Sequence, residues 1–369
     1  MRITVLHFAD YYAPYEGNFI NSLVCLENQL TKNRGKVDYV FPMQVAYQPW
    51  WEKFSSTHTC HVTSGTNSIN EIHDIIEKVN PMIIHTHFEG YDISVSKAIN
   101  NCHNKAQIVW HMHDVITYHQ NPLKRLYQYW RFFLHYFYYG KNVSAIGVSK
   151  QILDFTKKYR HMFGGNFLSS ELIPNGIDFS RIRKHEKYQT RIPFTFLSYG
   201  GRNVQKRIDL LLSAAQDLVS KFEIRIIITK GTDTVAVCET FFGGDIPNWC
   251  QLIEQSDDIN TILEQADCFV STSVHETFSY AICEATYFGL PIIQSDIDGT
   301  RWNANNPSTF LFRSGDSHDL ERAMVEVMKR DEGTLQNDIS QTCTNNMKYG
   351  IDNWCERIIS FYEKIIPLH

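Results

Sequence analysis

Short apolar, β-branched segments alternate with longer segments of helical period along most of this chain. The alternation is typical of parallel β-sheets, because two parallel strands need a crossover long enough to hold a helix. In the first half, strands are predicted at 2–8, 37–41, 82–87, 108–113 and 144–148. In the second half, they are predicted at 194–199, 224–229, 268–271 and 291–294. The sequence therefore predicts an α/β protein built on two parallel sheets.

The length of the chain, 369 residues, exceeds what one hydrophobic core usually serves, so two domains are expected. A polar, basic stretch at 181–191 has no apolar periodicity and is interpreted as a linker. We place an N-terminal Rossmann-like domain at 1–180 and a C-terminal one at 181–352. The segment 353–369 carries an apolar stripe at helical spacing and is predicted to return to the first domain as a crossing helix.

Composition excludes several classes of protein. The formal net charge is -5, which gives no global attraction to nucleic acid. The first apolar run is shorter than a signal sequence needs, and no apolar run is long enough to span a bilayer, so we expect a cytoplasmic protein. Nine scattered cysteines without a C-x-x-C pair are interpreted as buried reduced thiols.

The most informative segment is 275–284, with the sequence HETFSYAICE. It places Glu276 in a loop after a strand and Glu284 about two turns into the next helix, so that both carboxylates would face one crevice. The helix N-terminus between them suits a phosphate, and carboxylates accept hydrogen bonds from sugar hydroxyls. The alternative is that both glutamates are exposed surface residues, as most charged residues are.

A second group of residues follows the predicted strand 194–199. Arg202 and Lys206 lie in the loop after it, where fixed cations would stabilise the charge that develops on a leaving diphosphate. Arg207 is an alternative to Lys206 in that role. The competing interpretation is a solvated basic loop.

These segments, with Gly-Leu-Pro at 289–291, Pro-Asn-Gly-Ile-Asp at 174–178 and Gly-Val-Ser at 147–149, resemble the retaining GT-B glycosyltransferases of family 4, glycosyl transferases group 1. The resemblance implies two Rossmann-like domains that face each other across a cleft and close to exclude water. It implies transfer of a hexose from a nucleotide-diphosphate sugar, with a UDP-sugar favoured over a GDP-sugar, to an acceptor hydroxyl. The expected acceptor is a glycan or lipid-linked glycan in bacterial cell-surface polysaccharide or glycolipid synthesis.

The resemblance also assigns roles to individual residues. His113, at a predicted strand end, is favoured over His111 as the histidine that contacts the donor sugar, and it is paired with Glu276 as a catalytic candidate. The donor-binding candidates are Gly17, Arg202, Lys206, Thr277, Phe278, Ser279 and Glu284. Glu16 and His87 are the acceptor-side candidates, although a purely structural role for His87 is an equal alternative.

The helix predicted at 123–139 interleaves cations and aromatic residues. One interpretation is a peripheral contact with the inner face of the cell membrane; the other is a domain helix that packs under the first sheet. No metal site is expected, since Asp296 and Asp298 follow a strand where the family has a turn that contacts phosphate.

Two other functions remain open at this point. A nucleotide-sugar epimerase or a phosphorylase can share the same architecture, because fold does not fix the reaction. A non-catalytic glycosyltransferase-like partner that binds glycans is the second alternative.

Overall fold

The computed structural model describes residues 2–114, 121–135, 142–162, 164–185, 187–256 and 258–367. The chain forms two compact units, residues 1–176 with 351–369 and residues 177–350. Each unit contains one sheet in which every strand pair is parallel. The predicted α/β class with two Rossmann-like parallel sheets is confirmed.

The first unit has seven strands in the order β3-β2-β1-β4-β5-β6-β7. The strands are β1 Thr4–Ala9, β2 Lys36–Pro42, β3 Cys60–Thr63, β4 Ile83–His87, β5 Gln107–Met112, β6 Val143–Gly147 and β7 Ser170–Leu172. The helices are α1 Gly17–Lys32, α2 Trp51–Thr57, α3 Ile69–Val79, α4 Asp92–Ile99, α5 Pro122–Phe132 and α6 Lys150–Met162, and the last helix of the chain, described below, joins them.

The second unit has six strands in the order β10-β9-β8-β11-β12-β13. The strands are β8 Phe194–Tyr199, β9 Ile224–Thr229, β10 Cys250–Ile253, β11 Cys268–Ser271, β12 Ile292–Ser295 and β13 Thr309–Phe312. The helices are α7 Asn203–Lys206, α8 Ile208–Leu218, α9 Thr234–Phe242, α10 Ile259–Leu263, α11 Tyr280–Phe288, α12 Ser317–Lys329 and α13 Glu332–Asn346.

The last helix, α14 Ile351–Ile365, packs against α1 in the first unit. Its buried side chains Trp354, Ile358 and Phe361 follow the stripe that the sequence shows at helical spacing. The chain passes between the units at 176/177 and 350/351, and the first of these points lies inside the Pro-Asn-Gly-Ile-Asp segment.

The sequence indicated that the stretch at 181–191 is a linker. In the structure this stretch is packed onto the second unit. The side chain of Tyr188 is buried in that unit's core, and its hydroxyl donates to the carbonyl oxygen of Asp267 at 2.9 Å. Nearby, the amide of Arg183 donates to the side-chain oxygen of Asn260 at 2.7 Å. Among the described residues of the stretch, the buried side chains of Ile182 and Tyr188 and hydrogen bonds of the backbone are the anchors, and two apolar residues six positions apart produce no apolar period.

In both sheets the strand order reverses next to the first strand of the unit, between β1 and β4 and between β8 and β11. In open parallel sheets, ligands bind outside the carboxyl ends of the strands at such a reversal, because the flanking loops diverge there. A ligand site is therefore expected at the loops after β1 and β4 in the first unit, and at the loops after β8 and β11 in the second unit.

All nine cysteines are free, and seven of them are buried, as the scattered spacing indicated. Among the described residues, no helix is both long and apolar enough to cross a membrane.

Candidate functional site

The loops that follow β8 and β11 meet in the second unit because these two strands are neighbours in the sheet. Three hydrogen bonds hold the loops together. The hydroxyl of Thr272 donates to the carbonyl oxygen of Lys206 at 2.6 Å. The amide of Val274 donates to the carbonyl oxygen of Gln205 at 2.9 Å. The side-chain amide of Gln205 donates to the carbonyl oxygen of His275 at 3.2 Å. The two sequence motifs are thus parts of one structure.

An ion pair joins the two motifs directly. The ammonium of Lys206 donates to Oε1 of Glu276 at 2.7 Å, and the hydroxyl of Ser273 donates to the same oxygen at 2.9 Å. The side chains of Lys206 and Glu276 are 28% and 12% exposed, so the pair is partly withdrawn from water yet still reachable by a ligand. Such a pair presents a cation for phosphate beside a carboxylate for hydroxyl groups.

Arg207, the alternative to Lys206, points elsewhere. Its guanidinium makes bonds of 2.9–3.2 Å to the carboxylate of Asp209, which lies in the first turn of α8. Arg207 has φ of 49°, in the left-handed region, where the chain breaks between α7 and α8. Arg202 precedes α7 with an exposed side chain, so it remains available to an incoming anion.

The N-terminus of α11 lies at the same edge of the sheet, since α11 follows β11. Ser279 is the N-cap residue, and its hydroxyl oxygen accepts from the amide of Ile282 at 3.5 Å. Thr277 is half-buried in the loop before it. Phe278 is buried and stacks on Trp302, with ring centroids 5.0 Å apart. Phe278 thus fixes the loop, while the helix terminus supplies the positive end of a dipole.

Glu284 is only 8% exposed, so it is not a solvated surface residue of α11. Burial, and secondly the carboxylate of Glu284, raise the pKa of the Tyr199 hydroxyl well above its usual value. Glu284 is the fifth residue of α11, whose N-terminus lies at the same carboxyl edge of the sheet as the loop of Lys206.

The loop after β12 lies against the loop that holds Glu276. A Cβ atom added to Gly299 would lie 1.7 Å from the carbonyl oxygen of Glu276, so only glycine allows this close backbone approach. Asp296 and Asp298 in the same loop both lie against the guanidinium of Arg301, at 3.5 and 2.6 Å. Their negative charges are therefore already compensated by a cation, and the expectation that no metal binds in this loop stays a prediction.

In the first unit, the loop after β1 ends at Glu16, and Gly17 is the first residue of α1. Glu16 is half-buried at the N-cap position of α1, and Gly17 has φ of 57°, which favours glycine. The hydroxyl of Tyr11 donates to the carbonyl oxygen of Tyr15 at 2.8 Å and steadies this loop.

His113 and His87 are buried in the interior of the first unit. Nε2 of His113 lies 3.3 Å from Nδ1 of His87, whose Nε2 lies 3.0 Å from Nδ1 of His7. Burial lowers the pKa of His113 to about 3, although a hydrogen bond with Asn175 acts in the opposite direction. His113 is therefore a neutral imidazole at physiological pH.

A comparison with known protein families matches a segment of the second unit. Residues 193–330 match the family described as "Glycosyl transferases group 1". The second unit carries a glycosyltransferase domain. Arg202, Lys206, Glu276 and Glu284 all lie within this matched segment. A comparison with curated protein sequences finds no match.

Three solved structures are similar to the whole chain. Anabaena HepE, in complex with UDP and glucose, is 12% identical with a TM-score of 0.76 and covers 99% of this chain and 100% of its own. A glycosyltransferase from Rickettsia africae is 14% identical with a TM-score of 0.78 and full coverage of both chains. Sucrose-phosphate synthase from Thermosynechococcus elongatus is 14% identical with a TM-score of 0.78 and covers 99% of each chain. The fold is accordingly that of the GT-B glycosyltransferases.

Proposed function

We propose that this protein is a retaining glycosyltransferase that moves a hexose from a UDP-sugar to a hydroxyl of a glycan or lipid-linked glycan. The observation that carries the proposal is the Lys206–Glu276 pair at the meeting point of the β8 and β11 loops. Inside the glycosyltransferase domain, the pair places a cation that can bind phosphate beside a carboxylate that can accept hydrogen bonds from sugar hydroxyls.

In the proposed mechanism, Arg202, Lys206 and the N-terminus of α11 bind the diphosphate. As the glycosidic bond breaks, negative charge grows on the leaving phosphate, and preorganised cations and helix amides stabilise that change. Glu276 accepts hydrogen bonds from the hydroxyls of the donor sugar, and the buried Glu284 accepts them from the ribose.

His113 has a different task in this mechanism. Since its pKa is lowered to about 3, it contacts the donor sugar as a neutral imidazole and transfers no proton. The leaving phosphate oxygen then serves as the base for the acceptor hydroxyl, which approaches the same face of the sugar. Retention of configuration follows from that geometry.

The choice of UDP over GDP, ADP and their sugars is tested by a thermal-shift panel, because binding to the folded state raises the midpoint. HepE, which shares the fold, was solved with UDP and with UDP-glucose. A midpoint that rises with UDP and not with GDP supports the proposal. If none of the nucleotides or nucleotide sugars raises the midpoint, the proposal is contradicted.

The reaction itself is tested by incubating the protein with the bound donor, with and without glycan acceptors, and following the anomeric centre by NMR. A retained anomeric configuration in the product supports the mechanism. Conversion of the donor alone into another nucleotide sugar would identify an epimerase. A protein that binds donor but leaves it unchanged with every acceptor, and whose Glu276→Ala variant keeps its biological function, would be the non-catalytic partner.

We also propose that the protein works at the cytoplasmic membrane in cell-surface polysaccharide or glycolipid synthesis, with α5 as the contact. The outer side of α5 exposes Leu123, Leu126, Tyr127 and Trp130 by 78%, 68%, 64% and 57%, and three cations at 124, 125 and 131 flank them. Residues 136–139 of the helix predicted at 123–139 lie outside the described residues. Apolar side chains beside cations suit an anionic lipid surface.

This contact is tested by sedimentation with vesicles of phosphatidylglycerol and phosphatidylcholine. We expect binding that increases with the anionic fraction and is lost in the Leu126→Glu, Trp130→Ser double variant. Equal sedimentation of this variant and the wild type would contradict the proposal.

A further inference from the structure

Five histidines collect on one face of the first sheet: His7, His85, His87, His111 and His113. In the strand register His7 lies opposite His85, and His87 lies opposite His111. Alternate residues of a strand project to the same face, so the two H-x-H pairs and His7 share one surface. The chain positions are far apart, and the register of β1, β4 and β5 brings them together.

This face is covered by α1 and α14. The ring of Phe19 from α1 lies 5.1 Å from that of His87, and the hydroxyl of Tyr362 from α14 hydrogen-bonds to Nδ1 of His85. All five histidines are at most 8% exposed. Imidazoles are therefore packed where a sheet normally buries aliphatic side chains.

The ring nitrogens are as close as metal ligands are. Nδ1 of His7 lies 3.0 Å from Nε2 of His87, and Nε2 of His85 lies 3.2 Å from Nδ1 of His111. One nitrogen from each of His7, His85 and His87 lies within 4.8 Å of the other two. With Zn–N bonds of about 2.0–2.1 Å in a tetrahedral site, two ligand nitrogens are about 3.3–3.4 Å apart. Shifts of a few tenths of an ångström to about 1.5 Å would bring the three nitrogens to that spacing.

Hydrogen bonds alone do not satisfy the cluster. Nε2 of His7 and Nε2 of His111 are buried and have no hydrogen-bond partner among the described residues. A neutral imidazole offers one donor and one acceptor, and each unsatisfied buried polar group costs about 1–3 kcal/mol. The cluster thus has more lone pairs and N–H groups than the surrounding protein can pair.

We propose that His7, His85 and His87 bind one divalent transition-metal ion of the zinc class. Ligation by Nε2 of His85 and His87 takes these atoms from His111 and His7. It leaves the Nδ1 atoms of His85 and His87 on Tyr362 and His113, the outer partners that orient metal-bound imidazoles. A set of imidazoles without a carboxylate suits Zn²⁺ and excludes Mg²⁺ and Ca²⁺, which require oxygen ligands. The fourth position takes water or hydroxide, as in other three-histidine zinc sites.

The test uses the full chain without a polyhistidine tag. The protein is treated with a chelator, dialysed to equilibrium against Zn²⁺, and its metal content is measured by mass spectrometry; Co²⁺ replaces Zn²⁺ for absorption spectra. We expect one ion per chain and the visible bands of four-coordinate Co²⁺. A wild-type protein that binds no stoichiometric Zn²⁺ would overturn the proposal and leave a neutral imidazole network.

Variants locate the ion. His87→Gln should weaken Zn²⁺ binding by more than about 100-fold. Tyr362→Phe should weaken it by about 10–100-fold, because the hydroxyl that orients the His85 ring is lost. The matched control is His73→Gln, which disrupts a half-exposed group made of His73, Glu77 and Cys102 and should leave the affinity unchanged. Loss of binding in His73→Gln and not in the other two would show an adventitious ion only. If His87→Gln does not fold, as judged by circular dichroism, Tyr362→Phe decides the question.

Discussion

Replacing Lys206 by methionine removes the ammonium and keeps much of the apolar stem. Nζ of Lys206 lies 2.7 Å from Oε1 of Glu276, and the two side chains are 28% and 12% exposed. An exposed ion pair contributes about 0–1 kcal/mol, whereas breaking a fully buried one costs about 3–5 kcal/mol. This pair lies between those limits, so we expect Lys206→Met to lower the free energy of unfolding by about 1–2 kcal/mol. The variant should remain folded.

The expected loss of turnover is larger than the loss of stability. A cation on the leaving diphosphate acts on charge that develops in the transition state, and removing one such group costs about 10²–10³ in kcat, or about 2.7–4 kcal/mol. The assay is the initial rate of nucleotide release from the UDP-sugar, measured beside urea unfolding of the same preparation. kcat should fall while most of the protein stays folded.

Arg207→Met is the matched control, because it removes the neighbouring cation. Since the guanidinium of Arg207 is bound to Asp209, this variant should turn over the donor within a few-fold of the wild type. The reasoning is refuted if Arg207→Met loses more activity than Lys206→Met. It is also refuted if the loss in Lys206→Met merely follows the fraction of unfolded protein.

Three further predictions follow from packing and titration. Gly299→Ala should abolish turnover and destabilise the fold by about 1–3 kcal/mol, because the new Cβ would lie 1.7 Å from the carbonyl oxygen of Glu276; kinetics and urea unfolding check this. Phe278→Ala should lower the free energy of unfolding by about 3 kcal/mol, since Trp302 loses its stacking partner, and urea unfolding measures it. In the metal-free protein, burial lowers the pKa of His7 to about 3, so below pH 6.5 the unfolded chain binds more protons than the folded one. The free energy of unfolding should therefore fall by about 2 kcal/mol for this residue between pH 7 and 5, and His7→Leu should show a shallower dependence on pH; an identical slope would contradict the assignment.

The central strands of both sheets could be predicted because they are mostly buried and short groups of apolar and β-branched residues mark each of them. The missed strands are β3, β7, β10 and β13, which are the four edge strands. They are three or four residues long and only partly buried, so they carry little apolar signal.

The helix α13 shows why apolar periodicity is a weak signal for some helices. Its buried face includes Thr342 and Asn346, and the side-chain amide of Asn346 donates to Asn303 at 3.0 Å. Only Leu335, Ile339 and Cys343 on that buried face are apolar, so the apolar stripe of α13 is short and weak.

In the second unit, the meeting of Lys206 with Glu276 could be anticipated, because two loops at adjacent parallel strands share one edge of the sheet. The roles of these residues in catalysis stay predictions. The histidine cluster was missed because it depends on the pairing of three strands, although the H-x-H pairs at 85–87 and 111–113 were visible signals.

The central claim is that cations and a helix terminus of the second unit bind one diphosphate at the carboxyl ends of β8 and β11. A crystal structure of the protein with UDP tests it most directly. We predict phosphate oxygens within hydrogen-bond distance of Arg202 and Lys206, with the ribose hydroxyls on Glu284. A diphosphate bound elsewhere, with Lys206 still paired only to Glu276, would contradict the account.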